Sequence, residues 1–242
     1  MASATTKHRK TGAGTRAADT RTAGASRSGR KPAAPARKYH HGDLRRALID
    51  AALALIAEGE LGTLSLREVA RRAGVTPAAP YHHFRDKAAL LAAVAEEGFL
   101  ALGARMDAAL ARVPAADVRG RLAALARAYV EFARAHQAHY RVMFLPDAMH
   151  GEVAEAEALH AAADATFDRL LATIEAAQPR GREAARADAI AARAVTVWAT
   201  AHGFVSLWND GLLDAKLPSG NPDAFLDTAI EEMVALAAGP RR

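Results

Sequence analysis

Tyr81, His82, His83 and Lys87 stand close together in a stretch with little aliphatic bulk. A phenol, an imidazole and an ammonium can all donate hydrogen bonds to phosphate oxygens, so this cluster is chemically suited to a polyanion. Other histidines could be drawn as metal ligands: His40 and His41 with Asp43, or His136 and His139 at i, i+3 spacing. Neither set follows a recognised metal-site pattern, and no nucleophile, phosphate loop or carboxylate pair stands out. The sequence therefore points to a non-enzyme with no catalytic residue, no metal and no cofactor, in which each of these histidines is solvated.

The elements that must position the cluster are legible around it. Ser65 and Glu68 have the spacing of a capping box, and Leu64 and Val69 that of a hydrophobic staple. A helix should therefore begin near Ser65, carry Leu66, Val69 and Ala70 at core spacing, and end at Gly74, which tolerates a left-handed conformation. Thr76 followed by Pro77 offers an N-cap and a first-turn proline for a second helix. Two short helices joined by a turn of about four residues form a helix-turn-helix, in which one helix packs and the other presents a surface.

Composition bounds the rest. The 242 residues are 51% hydrophobic and contain no cysteine, which excludes disulfides and Cys-based zinc sites and fits a reducing compartment. No apolar run approaches the roughly 20 residues that span a bilayer, and no signal-peptide core follows the basic start. The expectation is a cytoplasmic protein without a membrane partner. Charge is unevenly spread: residues 1–38 hold ten Lys or Arg against the single acid Asp19, a balance of +9, so the chain total of +5 leaves −4 for the remainder. This segment, rich in Ala, Thr, Gly, Ser and Pro, reads as a disordered tail. Two readings of it stay open: a solvated leader or over-long start, and a basic arm adding non-specific affinity for a polyanion.

Beyond the tail the periodicity is helical. Leu44, Leu48, Ala52 and Leu55 recur at helical spacing between Asp43 and Glu58, with Gly59 as a stop. Asp86 can cap a long helix running to Pro114. Further helices are expected near 117–136, 138–148, 152–177, 182–209 and 222–237, broken at Pro146, Gly151, Pro179 to Gly181 and Pro218 to Pro222. Scarce period-two alternation and abundant alanine argue for an all-α fold.

Residues 39–95 resemble the DNA-binding domain of the tetracycline-repressor (TetR) family of transcriptional regulators. The resemblance is carried by the run from Leu66 to Thr76, by Tyr81 to Phe84, and by Asp86, Lys87, Leu90 and Leu91. Tyr39 to Arg45 and Trp198 to Gly203 are similar to a subgroup whose C-terminal domain is named for Trp, His and Gly. The resemblance implies a three-helix DNA-binding domain over 39–95 and a helical effector-binding and dimerisation domain over 96–242. It also implies a homodimer, formed through the helices near 182–209 and 222–237, on a palindromic double-stranded DNA operator, released by a small, largely apolar effector, most simply as a repressor. Two recognition helices would then lie about 34–36 Å apart, or a multiple of that. Val197, Phe204, Trp208, Leu212, Phe225, Ile230, Met233 and Leu236 supply the apolar surface expected at the dimer seam.

Tyr81, His83 and Lys87 match positions that touch phosphate in the family, and Thr76 and His82 join them as candidate DNA contacts. Pro77, Ala78, Ala79 and Pro80 should face the groove, where they can meet only thymine methyls or exclude bulk. Base readout would fall to Thr76, Arg67 and DNA shape. Phe84 belongs to the core. In the C-terminal half Met106, Tyr129, Phe132, Tyr140, Phe144, Phe167, Trp198 and His202 are the candidate ligand contacts. Trp198 and His202, one turn apart, share a helix face; the same aromatics would equally well fill a core. An architectural DNA-coating protein using the basic tail is the alternative function, but it leaves the large acidic, apolar second half without a purpose.

Overall fold

The computed structural model describes residues 41–149, 154–176, 183–213, 216 and 222–238. The basic segment 1–38, the Tyr39–His40 start of the entry motif, Gly151, Pro179 to Gly181 and Pro218 to Asn221 lie outside the described residues. All regular structure among the described residues is helical: α1 (His41–Ala57), α2 (Leu66–Ala73), α3 (Lys87–Leu110), α4 (Val118–Ala135), α5 (Gln137–Met143), α6 (Pro146–Met149), α7 (Ala154–Ala176), α8 (Glu183–Asn209) and α9 (Pro222–Ala238). Two 3-10 turns, Glu60–Gly62 and Ala79–His82, complete the set. No described helix is long and apolar enough to cross a membrane.

Local chemistry explains most boundaries. The Ser65 side chain accepts the Glu68 amide at 3.2 Å, and Gly74 closes α2 at φ 70°. Only half of the capping box forms, because the Glu68 carboxylate turns to the Arg71 guanidinium instead of reaching back. Asp86 caps α3 through the Ala89 amide at 2.9 Å, and Asp117 caps α4 through Gly120 at the same distance. The single helix expected over 138–148 is two. Pro146 has no amide to give the Val142 carbonyl, which accepts Leu145 instead, so α5 stops and the proline opens α6.

Helix α3 is the spine. Leu90, Leu91, Val94, Phe99, Leu102 and Met106 are buried along it as α1, α4, α5, α6 and α7 pack around it, while α8 and α9 pack on each other and on α4. Ion pairs stitch the spine to its neighbours: Arg169 holds Asp107 through two bonds of 2.7 Å, and Arg46 of α1 reaches Glu97 at 2.7 Å. The expected seam residues divide in three, Phe204 and Phe225 being half-buried with their rings stacked at 5.9 Å. Val197, Trp208, Ile230 and Met233 are buried inside this chain's own core, because α8 and α9 turn those faces toward each other and toward α4. Leu212 and Leu236 remain exposed, as do Val195 and Leu207.

Candidate functional site

The polar cluster sits on the turn after α2. Helix α2 buries Leu66, Val69 and Ala70 and leaves Arg67 exposed, so its packing face is the expected one. The segment that follows is not an α-helix. Pro77 and Pro80 both lack an amide hydrogen, and Ala79, Tyr81 and His83 donate to the carbonyls three residues back, Thr76, Ala78 and Pro80. The first i→i−4 bond that Thr76 could accept would come from Pro80, which has no donor, so the tighter 3-10 winding takes over. Thr76 therefore caps nothing with its side chain; the residue before the turn is Ala78, with no side-chain cap bond.

This winding sorts the candidate DNA contacts. Thr76, Pro77, Ala78, Tyr81 and His82 are exposed, with Tyr81 at 54%, while Ala79 and His83 are half-buried. Pro80, expected to face outward, is buried. Phe84 lies in the core at 1% exposure, with the Arg45 guanidinium 5.5 Å above its ring, and His83 tilts against it with ring centres 6.5 Å apart. Lys87 is half-buried, and its Nζ donates to the Leu61 carbonyl at 3.2 Å. An ammonium has three donors, so this bond fixes the side chain beside the exposed turn and leaves capacity for another acceptor.

A second feature lies in the body. A cavity of about 330 Å³ opens between α3, α4, α7 and α8, lined largely by apolar and aromatic side chains. Of the candidate ligand contacts, Met106, Tyr129, Phe144, Phe167 and Trp198 line it. Phe132, Tyr140 and His202 are not among its lining residues. Phe132 is buried and stacks on His136 with ring centres 4.8 Å apart. Tyr140 and His202 stand behind the wall: His202 Nδ1 lies 3.0 Å from the Tyr129 hydroxyl and 2.8 Å from that of Tyr140, which also meets Ser206 Oγ at 3.2 Å. Burial holds His202 below the ordinary histidine range and pushes both phenols up, so the network is neutral. Trp198 is 37% exposed while contacting Phe144, Phe167 and His202.

Sequence reasoning missed the aliphatic wall, including Leu102, Leu122, Leu125 and Leu170, and the rim residues Asp164 and Val195. The aliphatic positions carry the same periodic signal as any core leucine, so nothing local marks them. His139 stands away from the cavity, 3.5 Å from Glu97, held below the ordinary range by burial against the opposing pull of that carboxylate. The described residues hold no group of three or more His, Cys, Asp or Glu placed to bind a metal.

Together these features define a helix-turn-helix protein whose helical body encloses an apolar cavity. Residues 48–94 match the bacterial regulatory proteins of the tetR family, and residues 122–233 match the tetracyclin repressor-like C-terminal domain. An uncharacterised HTH-type transcriptional regulator of Haemophilus influenzae is 46% identical over 72 residues, which is 29% of this chain and 35% of that protein. The chain thus spans about a third of that curated relative's length. A solved protein of unknown function from Rhodococcus sp. RHA1 is 35% identical, with a TM-score of 0.63 over 82% of this chain and 97% of that one. The structure of AibR in complex with isovaleryl coenzyme A and operator DNA shares the fold at 18% identity, TM-score 0.56, covering 82% of this chain and all of that one. The chain belongs to the tetR family of bacterial regulatory proteins.

Proposed function

We propose that this protein is a ligand-released transcriptional repressor that binds a palindromic operator as a homodimer. The observation that carries the reading is the Ala79–His82 turn, which holds Tyr81 and His82 in solvent on a rigidly capped helix-turn-helix while Phe84 anchors it from below. Thr76, Tyr81, His82, His83 and Lys87 are its phosphate contacts, and Arg67, Pro77, Ala78 and Ala79 its groove face. With so few hydrogen-bonding side chains on that face, specificity rests on Arg67, Thr76 and DNA shape. Residues 39–95 form the DNA-binding unit and 96–242 the effector-binding and dimerising unit, with α3 running unbroken through the junction.

The apolar face shared by α8 and α9 supports dimerisation. Leu207 and Leu236 are exposed there, and a Cβ added at Gly203 would meet nothing within 4 Å, which leaves room for close helix approach. The cavity supports an effector site, and the AibR complex supports the pairing of a small ligand with operator DNA on this fold. Trp198, His202 and Gly203 favour the Trp-His-Gly subgroup. The relatives named as regulators favour a non-enzymatic role in the cytoplasm. The test is a footprint on the DNA flanking its own gene. One protected palindrome, lost in Tyr81→Ala, is expected; uniform coating with no preferred site would support the architectural alternative and overturn this reading.

A further inference from the structure

The cavity's charge inventory is one-sided. Among its described lining residues the only ionisable group besides the Tyr129 phenol is the Asp164 carboxylate, and there is no Lys, Arg or His. Asp164 on α7 is exposed and therefore sits at the rim, as do Val195 and Trp198 of α8, which also line the cavity and reach solvent. The nearest basic residues on the same helix are both engaged: His160, with Nε2 2.7 Å from the Met149 carbonyl, and Arg169, paired with Asp107.

The hydroxyl donors are committed as well. Thr166 Oγ1 donates to the Ala162 carbonyl at 2.8 Å, and the Tyr129 hydroxyl pairs with His202 Nδ1. An anionic ligand would thus lose its hydration and meet neither a positive charge nor an uncommitted hydroxyl donor. A cation meets the opposite environment. Phe144 and Phe167 flank Trp198 with ring centres 6.0 and 5.9 Å away, and aromatic faces attract cations. The Asp164 carboxylate then lies where a charged head group would emerge from the apolar interior.

We infer that the effector of this cavity is an amphipathic cation, an apolar body bearing an ammonium-type head, with the body among the α3, α4 and α7 side chains and the head between Trp198 and Asp164. This rests on the cavity being the effector site and adds the ligand's charge to that reading. A carboxylate or acyl phosphate of the same apolar size is disfavoured by the lining. The exposure of Asp164 keeps its own share small, since a solvated ion pair contributes little, and the rings and the absence of a counter-cation carry the larger part of the discrimination.

The experiment holds the apolar body constant and changes the head: decyltrimethylammonium, 1-decanol and decanoate, below their aggregation concentrations, titrated against the full-length protein by tryptophan fluorescence, with Trp198 as the reporter. The expected order of affinity is ammonium, alcohol, carboxylate, with the carboxylate at least about tenfold weaker than the ammonium. Asp164→Asn should narrow the ammonium preference over the alcohol by roughly two- to fivefold. Decanoate binding as tightly as the ammonium compound would overturn the charge assignment while leaving the cavity as an effector site. Failure of all three to bind would overturn the cavity reading itself, and the proposal with it.

Discussion

The head, built from α1, α2 and the Ala79–His82 turn, and the body, built from α4 to α9 around α3, are stabilised by different physics. In the head short elements are fixed by local devices: Ser65 and Asp86 as caps, Gly59 and Gly74 in left-handed conformations, two prolines setting a turn. Its side chains separate cleanly into a buried anchor, Phe84, and an exposed polar edge, Tyr81 and His82. In the body, long alanine-rich helices leave a cavity that no local signal announces, and its rim and aromatic wall are supplied by residues spread along the chain from Phe99 to Trp198. A locally fixed head and a body that encloses a cavity is the division that the proposed ligand-released repressor requires, because a ligand shifts a conformational equilibrium only by its differential affinity for the two states.

The largest expected effect tests the separation within the head. Phe84→Ala removes a ring with 1% exposure and should cost about 3–5 kcal/mol, enough to unfold the head. Tyr81→Ala, at 54% exposure, should change stability by no more than about 0.5 kcal/mol and yet weaken operator binding. Denaturation midpoints measured beside DNA titrations check both. Comparable stability losses in the two variants would mean that the exposed edge is part of the core after all.

In the body the corresponding test is His202→Ala. It removes the Nδ1 that the Tyr129 and Tyr140 hydroxyls share, of which Tyr140 keeps Ser206 Oγ as a partner, so stability should fall by about 1–3 kcal/mol. Operator affinity should stay near normal at temperatures where the protein is folded, because His202 lies behind the cavity wall and touches neither α1 nor α2. A loss of operator affinity equal to that of Tyr81→Ala would dissolve the distinction between the two regions.

The two regions differed in how far the sequence revealed them, and for the same reason that they differ physically. Both caps, the Gly74 stop and the burial of Phe84 follow from residues within four positions of one another. The 3-10 winding is also encoded locally, in Pro77 and Pro80 at a spacing of three, because the second proline withholds the donor that an α-helical turn needs, and Pro80 lies inward instead of on the expected groove face. In the body, five of the eight candidate ligand contacts reach the cavity, whereas Phe132, Tyr140 and His202 do not line it. Helix α8 carries alanine or another apolar residue on nearly every face, so its periodicity does not say which side is inside. That choice is made by α4 and α9, far along the chain, and it left Trp198 half in solvent and Trp208 in the core beneath Arg134, whose guanidinium lies 3.9 Å from the ring centre. Asp164 looked like any solvated helix acid.

Acid should act on the body before it acts on the surface ion pairs. Burial holds His139 and His202 below the ordinary histidine value of 6.5, so the unfolded chain binds more protons than the fold as pH drops through that value. Their contribution is complete above 6.5 and is lost as pH falls toward the depressed native values, so stability rises with pH in this window. Asp107 and Asp86 are held below 3.8 and Glu58 and Glu68 below 4.5 by Arg partners or cap amides, so their losses begin only further down. Melting temperatures between pH 7.5 and 5 should fall less steeply in a His139→Gln, His202→Gln double variant than in the parent. Parallel slopes would remove these histidines from the account.

The smallest effect is the sharpest test of the head's exposed edge. Lys87 is held by the Leu61 carbonyl beside the turn, with two donors of its ammonium left for a phosphate. Neutralising one phosphate contact lowers the slope of log K against log salt by about 0.9 on duplex DNA. Lys87→Ala should therefore weaken specific and random duplex alike, by the same factor at a given salt concentration, and leave the preference for the operator intact. Loss of the carbonyl bond alone would instead show as a small drop in melting temperature with the salt slope unchanged. That pattern would make Lys87 a brace for the Glu60–Gly62 turn, and the DNA-facing edge would shrink to Tyr81, His82 and the residues before them.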